Sequence, residues 1–105
     1  MKKKTRYISR LIKQSVNHID PNAEVILYGS RARGDERPDS DWDILVLTNY
    51  NPDVLAERKF RTVLYELELT TGESFSLFVY SKSDWTNVQN KTPFFMNVSQ
   101  EGINI

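Results

Sequence analysis

The run Asp41-Trp42-Asp43-Ile44-Leu45-Val46-Leu47-Thr48 constrains this chain more than any other segment. Beyond its acidic head the run is apolar on both faces. It therefore predicts a strand buried from two sides, central in a sheet and covered by helices. The two carboxylates at its start stand at i and i+2. On an extended backbone they project to one side, with Cα atoms roughly 6–7 Å apart. Two bare charges that close repel, and one tends to hold a proton. A hard divalent cation removes the conflict. Mg²⁺ takes one or two protein carboxylates, keeps waters and completes its shell with substrate phosphate oxygens. These residues point to a nucleotide-polyphosphate site.

The flanking segments fit a helix-covered sheet. Ile8, Leu11, Ile12, Val16 and Ile19 recur at helical spacing and predict an amphipathic helix from Lys4 to Ile19. Asp20-Pro21-Asn22 ends it, because proline has no donor with which to continue. Glu24 to Tyr28 reads as a short buried strand. Gly29-Ser30 breaks that strand, and Ser30 is expected to cap a short helix over Arg31–Arg33. A polar loop, Gly34 to Ser40, leads into the acidic strand. Asp53 to Thr70 predicts a long helix with Phe60, Val63, Leu64 and Leu67 on one face, closed by Gly72. Ser74 to Ser81 predicts a third strand, and Ser83 is expected to cap a short helix containing Trp85. Thr92-Pro93 opens the last helix, with Phe94, Phe95 and Val98 inward and Gly102 as its stop. The expected fold class is α/β (α+β), a small mixed sheet of three or four strands covered by helices.

Composition narrows the function. With 105 residues, the chain is expected to form a single domain over 1–105. Fourteen basic and fourteen acidic residues balance, so no global field favours nucleic acid, and direct nucleic-acid binding is not expected. The chain has no cysteine, which excludes disulfides and thiolate metal sites. No apolar run approaches the roughly 20 residues of a membrane span, and the basic start is not followed by a signal-like apolar block. A cytoplasmic protein is the expectation.

A strand that ends in Gly-Ser and turns into a helix offers backbone donors and a hydroxyl to an anion. Leu27-Tyr28-Gly29-Ser30-Arg31-Ala32-Arg33-Gly34, followed by Pro38-Asp39-Ser40-Asp41-Trp42-Asp43-Ile44-Leu45-Val46, resembles the signature of the polymerase-β-type nucleotidyltransferases. The shortness of the chain makes it most similar to their minimal nucleotidyltransferase (MNT) members, a resemblance that implies one minimal domain over residues 1–105. It also implies roles. Gly29 and Ser30 would hold the β- and γ-phosphates of a nucleoside triphosphate such as ATP. Asp41 and Asp43 would hold Mg²⁺ and serve as the catalytic carboxylates. Arg31 or Arg33 would pair with phosphate oxygens as a fork. The implied reaction places a nucleoside monophosphate, often AMP, on a hydroxyl.

The sequence departs from the family pattern at one point. A third carboxylate usually faces the first two from the adjacent strand, and alignment puts Ser76 in that place. Serine is not ionised at neutral pH, and a positioned general base typically contributes about 10²–10⁴-fold. Glu73, at an odd offset from Ser76, is expected on the opposite face, and Asp84 lies past the strand. The loss favours one tightly held metal over two. The expected function is Mg²⁺-dependent transfer of AMP from ATP to a protein or a small hydroxylated acceptor. The resemblance further implies pairing with a helical HEPN-type toxin, for which this chain would be the antitoxin. The competing expectation is a non-catalytic nucleotide-binding antitoxin or regulatory module.

Overall fold

The structure, a computed structural model, describes residues 1–105. In chain order it contains α1 (Lys3–Ile19), β1 (Glu24–Tyr28), α2 (Ser30–Arg33), β2 (Trp42–Thr48), α3 (Val54–Thr71), β3 (Phe75–Ser81), α4 (Lys82–Asn87), a 3-10 turn (Gln89–Lys91), α5 (Pro93–Glu101) and β4 (Ile103–Asn104). The strands form one sheet in the order β3-β2-β1-β4. β2 is antiparallel to β1 and parallel to β3. Its run from Ile44 to Thr48 is wholly buried, as a strand apolar on both faces requires. This is the expected mixed sheet with helices on both sides.

Alternation along β2 divides the core into two layers. Trp42, Ile44 and Val46 turn toward α1 and α3, where they meet Ile8, Ile12, Val16, Phe60 and Leu64. Leu45 and Leu47 turn the other way and pack with Trp85 and Val98 of α4 and α5. Tyr28, Tyr80, Phe94 and Phe95 extend this second layer, with Phe94 edge-on to Tyr28 at 5.3 Å between ring centroids. Each fully buried large apolar side chain contributes about 1.5–3 kcal/mol. By the same alternation Asp43 belongs to the α4–α5 face.

Two local expectations need correction. The residue before α2 in its capping position is Gly29, and Ser30 is the first helical residue, with no side-chain capping bond. The turn out of β1 requires a positive φ, which glycine alone adopts without strain, so the helix start moves back by one residue. α4 is capped by Ser81, whose Oγ accepts the Asp84 N–H at 3.0 Å, and not by Ser83. The last residue of β3 is itself the half-in position of the helix. Gly102 stops α5 as expected and leads into a two-residue strand, β4, paired antiparallel with Ile26 and Leu27 of β1.

A charged cluster joins α1, α2 and the segment between α3 and β3. Glu73 pairs with Lys4 and lies 3.9 Å from Arg31. The Trp42 indole N–H completes no hydrogen bond, yet it lies close enough to Glu73 to act on it. Burial alone would raise the Glu73 pKa, but Lys4, Trp42 and Arg31 outweigh it and hold the carboxyl below its ordinary range. A carboxyl depressed in the fold contributes stability above its unfolded pKa and loses it as pH falls through the folded value. Resistance to urea is therefore expected to decline as pH drops from about 5 toward 3. Glu73→Gln should be less stable at neutral pH and show a flatter acid limb. A Glu73→Gln profile that superimposes on the parent's would contradict this reading.

Candidate functional site

Tyr28, Asp43 and Ser76 stand side by side across β1, β2 and β3, so the strands bring the acidic head of β2 beside the turn that follows β1. That turn is shaped for close approach. Gly29 has φ 76° and ψ −161°, a region essentially restricted to glycine. A Cβ built on Gly29 would lie 3.0 Å from Asp43 Cγ and overlap Oδ2. The Asp43 carboxylate thus occupies the space that glycine leaves free, and the acidic strand converges on the Gly-Ser turn.

Asp41 precedes β2 and is exposed, while Asp43 is half-buried. The Asp43 carboxyl is raised above its ordinary pKa, first by burial, then by Asp41 and Glu101, with Arg33 pulling in the other direction. Asp41 thus bears on Asp43 as a nearby like charge does. No three acidic or histidine side chains come close enough to cage a metal. A pair of carboxylates beside a glycine turn at a helix start suits a hard cation that takes its remaining ligands from substrate oxygens and water. The residues fit Mg²⁺ on those terms.

The two arginines separate sharply. Arg31 is buried and its donors serve the fold. Its Nη2 donates to the carbonyl oxygens of Ser40 at 2.9 Å and Pro38 at 3.3 Å. Its guanidinium lies 4.4 Å over the Trp42 ring. The expectation that Arg31 forks onto phosphate gives way to a different role: it fastens the loop that delivers Asp41. A desolvated guanidinium stacked on an indole and bonded to carbonyls is held by cation–π attraction and by hydrogen bonds together. Arg33 is exposed and lies on the site side. Its Nη1 donates to Glu101 Oε2 at 2.7 Å, and its Nε donates to Asp35 Oδ2 at 3.2 Å.

Glu101, the last residue of α5, is a site residue that no sequence feature announces. The Gly29 N–H donates to its Oε1 at 3.1 Å. Burial first, then Asp43, Tyr80 and Glu101, push the Tyr28 hydroxyl well above its usual range, so Tyr28 remains neutral beside these acids. On the β3 side the carboxylate count is unchanged. Ser76 is half-buried opposite Asp43. Glu73 is engaged by Lys4 and Arg31 on the other face, as its offset predicts. Asp84 lies past the end of β3, where its N–H is bonded to Ser81.

A family model described as a nucleotidyltransferase domain matches residues 9–90. Among solved structures, the fold is similar to that in a crystal structure of a toxin–antitoxin with AMP-PNP. The TM-score is 0.67 at 20% sequence identity, over 90% of this chain and 69% of that one. No curated protein matches the chain. No helix is long and apolar enough to cross a membrane.

Proposed function

The chain belongs to the nucleotidyltransferase domain family, and from that premise we propose that it transfers a nucleoside monophosphate, AMP from ATP, to a hydroxyl with the help of Mg²⁺. The observation that carries this reading is the Asp43 carboxylate lodged against Gly29. Gly29 and Ser30 would receive the triphosphate, and Arg33 would pair with its oxygens. Asp41 and Asp43 would hold Mg²⁺, which when bound draws charge from the pyrophosphate leaving group. The acceptor oxygen would bond to the α-phosphorus as the bond to pyrophosphate breaks. Ser76 cannot take the hydroxyl proton, so that proton passes to water or to a group brought by the acceptor.

The similar toxin–antitoxin fold supports a protein acceptor, and we extend this to a helical HEPN-type toxin that the chain modifies as its antitoxin. A second reading is favoured by Ser76 standing opposite Asp43: a nucleotide-binding antitoxin or regulatory module that acts by covering its partner. Incubation with labelled ATP, Mg²⁺ and a candidate toxin separates the two. Label moving to the toxin supports transfer. Stable complex formation with no label moved supports the module, and the absence of both transfer and complex would sink both readings.

A further inference from the structure

Glu101 reaches the turn from the far end of the chain, and its placement is built into the fold. Gly102 follows it at a spot where a Cβ would lie 2.9 Å from Ile26 Cγ2. The Gly102 N–H closes α5 on the Val98 carbonyl at 2.7 Å, and the Ile105 N–H returns to the Val25 carbonyl at 2.9 Å. Lys13 Nζ holds the Ile105 carbonyl at 2.7 Å. These bonds pin the helix end across β1, so the Glu101 side chain, only 22% exposed, is directed onto Gly29 and Arg33. A carboxylate here takes the backbone donor and the guanidinium that a phosphate would need.

We propose that Glu101 is a specificity-determining residue: it occupies the phosphate position of the Gly29 turn, excludes metal-free phosphate anions, and yields to a metal-loaded triphosphate. This rests on the nucleotide-site reading above. Charge explains the selectivity. Asp41, Asp43 and Glu101 set three negative groups against Arg33, so a bare triphosphate meets repulsion at every approach and must also break two charge-assisted bonds. A triphosphate whose charge is largely cancelled by Mg²⁺ meets much less.

The test measures binding of a non-hydrolysable ATP analogue by calorimetry, with Mg²⁺ or with EDTA, to the parent protein and to Glu101→Gln. The glutamine keeps the shape and removes the charge. Metal-free binding should tighten roughly tenfold in Glu101→Gln, and Mg²⁺-supported binding should change by roughly threefold or less. In the parent protein alone, the Gly29 amide resonance should move when the Mg²⁺–nucleotide complex is added, as its carboxylate partner is exchanged. Equal metal-free affinities in the two proteins, or an unmoved Gly29 amide on saturation, overturn the proposal and leave the nucleotide site standing. Weaker binding of both forms by a folded Glu101→Gln also overturns it, because Glu101 would then be a ligand. No binding of either form to the parent protein removes the site and the proposal together.

Discussion

Asp43→Asn is expected to lower nucleotidyl transfer by about 10³-fold or more while leaving the fold intact. Several kcal/mol of transition-state charge stabilisation are assigned to the metal that Asp43 would hold, and each 1.36 kcal/mol corresponds to tenfold in rate. Asparagine keeps the size and one carbonyl oxygen but loses the charge that a hard cation needs. The fold should not suffer. Burial, Asp41 and Glu101 all disfavour the ionised Asp43 carboxyl, so removing its charge relieves repulsion in the nucleotide-free protein. Its melting temperature should hold or rise slightly. Transfer within tenfold of the parent, measured with label at saturating nucleotide, would place the chemistry elsewhere.

Gly29→Ala is expected to damage both stability and binding. The backbone at φ 76° and ψ −161° costs any other residue about 1–3 kcal/mol. The added methyl also falls on the Asp43 carboxylate, and a flexible side chain yields more readily than a backbone. The structure therefore accommodates alanine by pushing Asp43 away from the turn, and nucleotide binding should fall with it. Gly34→Ala is the control. Gly34 also has a positive φ, 83°, but no atom lies within 4 Å of its missing Cβ. It should lose about 1–2 kcal/mol from backbone strain alone and keep its nucleotide affinity. Urea unfolding and analogue titration of the two variants separate strain from site damage. Equal losses of affinity in both would mean that the Asp43–Gly29 contact does not shape the site.

The parts of the site that the sequence disclosed are those governed by neighbours in the chain. Asp41 and Asp43 are readable because they head a strand whose burial is written in five successive residues from Ile44 to Thr48. Gly29 is readable because a strand ending at Tyr28 has to turn. Arg31 and Arg33 are two residues apart on one short helix, and nothing local says which faces the solvent. Trp42, Glu73 and the carbonyls of Pro38 and Ser40 decide the fate of Arg31, and Glu101 that of Arg33, all brought in by folding. Glu101 lies 72 positions from the amide it accepts, and its place follows from a two-residue strand too short to show any periodicity. Ser76 was the reverse case. Alignment with the family pattern puts it where the third carboxylate usually stands, and parallel pairing of β2 with β3 sets it opposite Asp43.

Diffraction from a co-crystal with Mn²⁺ in place of Mg²⁺ and a non-hydrolysable ATP analogue, recorded at the manganese edge, tests the central claim most directly. The account predicts one anomalous peak within coordination distance of both Asp41 and Asp43, with the triphosphate against Gly29 and Ser30 and Glu101 turned off the Gly29 amide. A metal bound away from these two aspartates, or a triphosphate seated elsewhere on the protein, would contradict it.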